Sequence, residues 1–486
     1  MRGPLPLPPS VLELLPLLHP WVAQQRWYAG KGRVPVLRRI GGLLLEDPAG
    51  EVGIDVHLLL DESGQTPTIY QVPLTCRTAR LAGADHALVA TVEEESIDRH
   101  GGHSHQSTRY IYDAPHDPVF ATALLRLIVD ERTLSSDGPQ GSGVAGHRTT
   151  TDDLGAVLAS HVLSGEQSNT SVVLDVGDSL GATSEPLICK LFRVLHHGQN
   201  PDVVVQSALA TAGSTRVPRS VGHVSGHWPD TGAPDGVAMG HLAFAQEFLP
   251  GVEDAWRVAL AAVASDTDFG EQARSLGQAT AQVHATLAQA MGTRDATDDD
   301  VVALTRSMRA RHASAVSEVP ALAEYDSMVH ASIEQVSSAR WPALQRIHGD
   351  YHLGQVLDVP DRGWVLVDFE GEPLRPLAER GQPDLALRDV AGMLRSFDYV
   401  AGSWEQAHPG QSAAPWATRA RTAFLDGYAR SAGRDPRRDA VLLDALELDK
   451  ALYEVVYEAR NRPMWLSIPT TAISRLSAAR RRDPRP

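Results

Sequence analysis

The stretch Arg346 to Glu372, RIHGDYHLGQVLDVPDRGWVLVDFEGE, constrains this chain more than any other. An apolar approach runs into a His-Gly-Asp turn. A short apolar piece, a polar turn and the β-run Trp364 to Val367 follow, and the run ends at Asp368. Apolar, β-branched runs bounded by Asp, Pro and Gly read as strands joined by a turn. The pattern therefore puts two carboxylates, Asp350 and Asp368, at the ends of adjacent elements, on one rim. The side-chain amide of Gln355 lies between them.

That set matches the needs of phosphoryl transfer. The reaction asks for a carboxylate to orient the attacking hydroxyl and accept its proton, and for oxygen ligands to hold metal ions against the phosphates. Asp350 suits the first task, and Asp368 with the amide oxygen of Gln355 suits the second. A His-Gly-Asp tripeptide alone says little, because short motifs recur by chance. The spacing to Gln355 and Asp368 makes it specific.

The rest of the chain fits a two-lobed α+β protein. At 486 residues it exceeds one ordinary core. Val52 to Leu60 and Thr68 to Thr75 suit a sheet, as do Val172 to Leu174 and Pro186 to Phe192. After about residue 255 helical periodicity takes over, most clearly in Glu271 to Gln289 and Arg437 to Asn461. A β-containing first half and a mostly helical second half predict a cleft between lobes. Loops are expected at Ser135 to Asp153, Ser225 to Gly236, Thr293 to Asp300 and His408 to Pro415.

Composition narrows the function classes. A formal charge of −16 speaks against nucleic-acid binding. The basic tail, Arg480, Arg481, Arg482 and Arg485, reads as a solvated terminus. No apolar run approaches a membrane span, and Met1 to Pro20 lacks the pattern of a signal peptide, so a cytoplasmic location and no membrane partner are expected. Cys76 and Cys189 read as buried thiols rather than a disulfide. His100, His103 and His105 fit no common metal spacing and read as a His-rich loop.

HGDYHLGQ resembles the catalytic loop of aminoglycoside phosphotransferases and their eukaryotic-like kinase relatives, and VLVDFEGEP resembles their metal-binding loop. That loop usually ends in Asn, where this chain has Gln355. Further blocks resemble actinobacterial maltokinases: WVAQQRWYAGK from Trp21, GEQSNTSVVL from Gly165, FRVLHHGQNPD from Phe192, PDLALRDVAGMLRSFDY from Pro383 and YEVVYEARNRPMWLSIP from Tyr453. They occur in order over nearly the whole chain. Glucosamine kinases are similar in architecture.

The resemblance implies a bilobal, protein-kinase-like fold. Residues 1–90 would form an N-terminal cap, 91–249 a β-containing lobe, and 250–486 a helical lobe. It implies ATP and Mg²⁺ as cofactors and maltose as acceptor, giving maltose 1-phosphate on a route from trehalose to α-glucan, with trehalose synthase as a candidate partner. Asp350 would be the base, and Gln355 and Asp368 the metal ligands. Lys190, closing the strand PLICK, would neutralise the nucleotide phosphates. A solvent-facing strand-end lysine is its alternative reading. The helical Glu that usually holds such a lysine is missing, and Asp202 is the only acid between Phe192 and Ala210.

Gln167 and Ser168 fall in the expected phosphate loop, and Gln246, Glu247 and Phe248 where a hinge would hold adenine. His352, Glu370, Arg388, Tyr457, Glu458, Arg460 and Trp465 are the acceptor-site candidates. For them, core packing, a solvated helix face with Lys450 paired to Glu454, and a local ion pair at Arg388 and Asp389 are the alternatives. Two other functions stay open: a kinase of glucosamine or an aminoglycoside, and a non-catalytic pseudokinase that binds ligand without turnover.

Overall fold

The computed structural model describes residues 11–97, 104–136, 141–164, 169–178, 182–230, 232–233, 235–372 and 375–482. It divides into two compact units: residues 1–203 with 219–250, and residues 204–218 with 251–486.

The first unit holds two antiparallel sheets. One has the path β1 (Leu37–Leu45), β2 (Gly53–Asp61), β3 (Thr68–Arg77), β5 (Ser104–Asp113), β4 (Leu88–Ile97). This sheet runs on past residue 90 and ends its pairing at Asp113. Helix α1 (Val11–Gln24) places Leu14, Leu18 and Val22 at four-residue steps, so they share one face and are buried together with Trp27, Tyr28 and Tyr70. Those aromatics are core packing. Cys76 and Cys189 are both buried, and burial pushes the Cys189 thiol up to about 12.

The second sheet has the order β6 (Thr133–Ser135), β7 (Gly143–Arg148), β12 (Ser220–Pro229), β13 (Val237–Glu247), β10 (Leu187–Phe192), β9 (Asn169–Val176), β8 (Val157–Val162). Helix α2 (Pro118–Val129) has seven buried apolar side chains, all of which belong to the core shared with that sheet. The short strand β11 (Val194–Leu195) pairs with β3, and Gln71 Nε2 on β3 donates to Phe192 O on β10 and Leu242 O on β13, so hydrogen bonds join the two sheets. Helix α3 (Pro201–Thr211) follows.

Two expected loops are corrected here. Ser135 to Asp153 contains β7, and Ser225 to Gly236 contains the last half of β12. Glycine hid both strands. Gly146 and Gly226 lie where a Cβ would strike Leu127 O at 1.8 Å and Gly143 O at 2.8 Å, so close backbone approach, not a turn, selects glycine.

The second unit is helical around one apolar core. Its helices are α4 (Ala255–Ala264), α5 (Gly270–Met291), α6 (Asp298–Glu318), α7 (Asp326–Ser338), α8 (Leu377–Arg380), α9 (Leu387–Ala407), α10 (Ala414–Ala432), α11 (Ala440–Asn461) and α12 (Ser467–Arg482). The strands β17 (Val356–Val359) and β18 (Gly363–Leu366) form a hairpin, joined by β14 (Glu253–Asp254), and β15 (Thr293–Arg294) pairs with β16 (Leu344–Gln345). The acidic run before residue 300, expected as loop, opens α6. Thr297 and Asp300 close a capping box, and three aspartates sit in the first turn, where the helix dipole favours them. Among the described residues no helix is long and apolar enough to cross a membrane.

Candidate active site

The β17–β18 hairpin predicted from sequence sets up the carboxylate rim of the second unit. Before it, Gly349 takes φ +85°, so the chain turns sharply at His-Gly-Asp. After it, Asp368 takes φ +67°, a left-handed conformation that costs a non-glycine residue about 1–3 kcal/mol. Val367 N–H donates to Gln355 O, and the His348 ring lies 3.0 Å from Val367 O, which ties the two loops together. His348 also packs against Phe369, with ring centroids 4.5 Å apart.

Gln355 Nε2 donates to Asp368 Oδ2 at 2.9 Å. The longer arm of Gln, in place of Asn, thus still reaches Asp368, and its amide oxygen is the remaining polar atom. A carboxylate and an amide oxygen, with no thiolate or imidazole in the pair, form a donor set for a hard cation such as Mg²⁺ rather than a softer metal.

Asp350 is held by Lys450, whose Nζ lies 3.0 Å from Asp350 Oδ1 and 3.3 Å from Glu372 Oε1. Burial opposes ionisation of Asp350, but the Lys450 ammonium, with help from His352 and His348, outweighs it and holds the carboxyl below its ordinary value. Burial likewise works against the Lys450 charge, and Asp350, Glu372 and Glu454 together hold its pKa above normal. Glu372, also buried, is kept ionised by Lys450, Arg311 and Arg388. Arg311 donates to Glu372 and to Asp449.

Lys450 is the residue that sequence reasoning missed. In the sequence it figures only as the i,i+4 partner of Glu454 in the alternative reading of a solvated helix face. In the structure Glu454 turns inward to Arg395, at 2.7 Å, and Lys450 faces Asp350. A lysine amid the buried stretch Leu446, Leu448, Ala451 and Leu452 was the available signal. Beside it, the Tyr453 ring lies 4.9 Å from Lys450 Nζ, and the Tyr453 and Tyr457 rings stack at 6.5 Å.

The acceptor-site candidates scatter more than expected. Tyr457 is 42% exposed. Arg462 bridges it to Trp465 by lying over both rings, and Trp465 stacks on Tyr399. Glu458 is buried, bound by Tyr399 and Arg462. Arg460 turns away to Glu318, and Arg388 is held by Asp384 and Asp449. His352 accepts Gly354 N–H through Nδ1, and burial lowers its pKa despite Asp350. Glu370 lies two residues beyond Asp368, on the same loop.

Asp389 does not pair with Arg388. Its carboxylate accepts the backbone N–H groups of His348 at 2.8 Å and Gly349 at 2.9 Å, and contacts His284 Nε2 at 3.0 Å. It therefore pins the turn that carries Asp350. Asp389→Ala should strand two backbone donors and cost about 2–4 kcal/mol. A thermal midpoint within about 2 °C of the parent, roughly 1 kcal/mol or less, would refute that pinning role.

In the first unit, Lys190 donates to Asp202 Oδ2 at 2.8 Å, so the aspartate on α3 takes the place of the missing glutamate. Asn200 Oδ1 accepts Asp202 N–H and caps that helix. Gln167 and Ser168 lie outside the described residues, as do His100 and His103. Thr170 and Ser171, which follow the expected phosphate loop, are buried, and Thr170 Oγ1 accepts Arg193 Nε. At the end of β13, Gln246 pairs with Ile188 and Ser220. Glu247 N–H donates to Arg219 O and Phe248 N–H to Pro186 O, so this segment's N–H groups are already engaged.

Comparison with known proteins agrees with this arrangement. Residues 162–442 match the phosphotransferase enzyme family, and residues 21–117 match the maltokinase N-terminal cap domain. A glucosamine kinase of Streptacidiphilus jiangxiensis is 31% identical over 299 residues, 57% of this chain and 65% of that enzyme's length. One from Mycolicibacterium smegmatis is 30% identical over 334 residues, 64% of this chain and 78% of the enzyme. A solved glucosamine kinase, in its crystal form A, has a TM-score of 0.66 at 24% identity, covering 98% of this chain and 100% of its own. Another, solved with glucosamine, ADP and inorganic phosphate, has a TM-score of 0.62 at 23% identity, covering 94% and 98%. These likenesses show an α+β, kinase-like fold preceded by a cap. On the family match, which spans more than half of its length, the chain belongs to the phosphotransferase enzyme family and carries a maltokinase N-terminal cap domain.

Proposed function

We propose that this protein transfers the γ-phosphoryl group of ATP to the anomeric hydroxyl of maltose, giving maltose 1-phosphate and ADP. The observation that carries the reading is Asp350, held ionised by Lys450 beside the stacked pair Tyr453 and Tyr457. Asp350 takes the hydroxyl proton as the sugar oxygen bonds to phosphorus. The bond from phosphorus to the bridging oxygen breaks, and its electron pair leaves with ADP. Lys190, oriented by Asp202, neutralises the α- and β-phosphates. Asp368 and Gln355 would hold Mg²⁺, which when bound offsets charge on the phosphate oxygens. The ADP in a solved relative supports the nucleotide.

Two features support a neutral sugar. An ammonium acceptor would meet the Lys450 charge 3.0 Å from Asp350. Tyr453 and Tyr457, stacked with centroids 6.5 Å apart next to Lys450, add aromatic surface against which an uncharged sugar ring can pack. The maltokinase cap points the same way. The same reading carries trehalose synthase as partner and a cytoplasmic place in an α-glucan route. Glucosamine is the second reading, because the relatives at 30% and 31% identity are glucosamine kinases.

The test is ADP release from Mg-ATP with maltose, glucose, glucosamine or kanamycin as acceptor. Maltose-dependent release is expected. Release with glucosamine alone would replace the acceptor and keep the chemistry, and no release with no ATP binding would sink the kinase reading. Lys450→Met adds a sharper check. Without that ammonium, burial dominates and the Asp350 pKa rises. The base then protonates at higher pH, so the acid limb of the kcat/KM profile should move up by about one pH unit or more. An unmoved limb would mean that Lys450 does not tune Asp350.

A further inference from the structure

The first unit contains a cavity of about 560 Å³ that the phosphoryl chemistry does not use. It lies on the second sheet, against the segment leading into α3. His147 on β7, His223 and His227 on β12, His241 on β13 and His197 before α3 all line it. No Asp, Glu, Lys or Arg is among its described lining residues, in a chain of charge −16. Leu134, Val144 and Met239 supply apolar wall, and Gly143, Gly226 and Gly240 keep the floor open. A Cβ on Gly143 would fall 2.2 Å from the His227 ring.

The hydrogen bonds fix what the cavity offers. His241 Nδ1 accepts Asn200 N–H at 2.9 Å, and His197 Nδ1 accepts Met239 N–H at 3.2 Å. Each ring therefore carries its proton on Nε2, and its remaining polar group is a donor. His223 stacks on His147 at 4.7 Å and meets His241 edge-on at 4.9 Å, and its buried Nδ1 has no hydrogen-bond partner. Burial, and then the neighbouring imidazoles, push His223 and His241 down to about 4, so both are neutral at pH 7. Among the described residues, no grouping of these histidines brings three ligand nitrogens close enough to hold a metal ion. N–H donors, an apolar wall and no competing carboxylate describe a site for an acceptor.

We propose that this cavity binds a small organic acid, a carboxylate on an apolar body, and that its occupancy is felt at the Lys190–Asp202 pair. The path is short. His241 holds Asn200 N–H, Asn200 Oδ1 holds Asp202 N–H at 2.9 Å, and Asp202 holds Lys190 at 2.8 Å. A carboxylate against the rings stabilises imidazolium, so binding takes up a proton and weakens as pH rises. The titratable groups facing the bound acid are the five histidines, from β7, β12, β13 and the segment before α3. The effect on Lys190 rests on the nucleotide role proposed above, whereas binding itself does not, so the two parts fail separately.

The probe is benzoate, titrated calorimetrically into the full chain at pH 6, 7 and 8, with benzyl alcohol as its uncharged counterpart. One benzoate per chain is expected, with affinity falling by up to about tenfold per pH unit for one proton taken up. Met239→Trp, which fills the cavity from an exposed position, and His223→Asn should each weaken benzoate at least about tenfold, a loss typical of a filled pocket or a lost charged hydrogen bond. Saturating benzoate should shift the KM for ATP by about fivefold, the lower end of ordinary allosteric coupling. No benzoate binding at pH 6, equal binding of benzyl alcohol, or undiminished binding by Met239→Trp would overturn the site. So would Zn²⁺ alone saturating the histidines with no acid bound, which would make the cavity a metal site. Binding that leaves the KM for ATP unchanged would overturn the coupling.

Discussion

Asp350→Asn is expected to lower acceptor-dependent turnover by about 10³-fold, within the range usual for a lost general base. The substitution keeps the shape of the side chain and an oxygen that can accept from Lys450, and Lys450 keeps its second partner, Glu372, at 3.3 Å. The turn itself is pinned from elsewhere, by Asp389 on the N–H groups of His348 and Gly349. The thermal midpoint should therefore stay close to that of the parent. What disappears is the site that accepts the hydroxyl proton, so kcat should fall while KM for the acceptor stays within a few-fold. Release of ADP with and without maltose, alongside a melting curve, checks both halves. Turnover within tenfold of the parent would place the base elsewhere. A collapsed melting curve would mean that the charge pair with Lys450 is structural first.

How much of this site was legible in the sequence follows from what kind of interaction made each part. The rim of Asp350, Gln355 and Asp368 was readable because it is local. A turn, a hairpin and a strand end within 23 residues place all three, and their spacing alone brings Gln355 to Asp368. Lys190 with Asp202 was half readable, since the strand named the lysine and the first turn of the next helix held the only acid in reach. Lys450 was not readable. It approaches Asp350 across 100 positions of sequence, and helical spacing offered Glu454 as a nearer partner. Packing decided against that pairing by turning Glu454 onto Arg395. The strands β7 and β12 were lost for a related reason: their glycines answer to contacts with distant backbone, which look like turn signals when only neighbours are visible. The acceptor-site list mixed both cases, with Tyr457 42% exposed and Glu458 and Arg388 absorbed into buried ion pairs.

Arg193→Met is expected to be the most damaging single change in the first unit. Arg193 is fully buried. Its Nη2 lies 2.8 Å from both carboxylate oxygens of Asp113, its Nε donates to Thr170, and its guanidinium sits 5.0 Å over the Trp27 ring. Its own carbonyl accepts Gln71 N–H, while Gln71 Nε2 donates to Phe192 O and Leu242 O. Trp27, Gln71 and Asp113 lie within the cap match at 21–117, and Thr170, Phe192 and Arg193 within the phosphotransferase match at 162–442. One guanidinium thus joins the two sheets of the unit. Met replaces most of the volume and none of the charge, so it strands the buried Asp113 carboxylate, at a cost of about 3–5 kcal/mol. For an element of this size the midpoint should drop by roughly 10 °C. Asp113→Asn added to Arg193→Met should recover part of the loss, because the stranded charge goes with it, and that coupling separates charge from packing. Fluorescence from Trp21 and Trp27 should then report cap unfolding ahead of the rest in Arg193→Met, and together with it in the parent. A double variant no more stable than the single one would mean that volume, and not the uncompensated carboxylate, sets the cost.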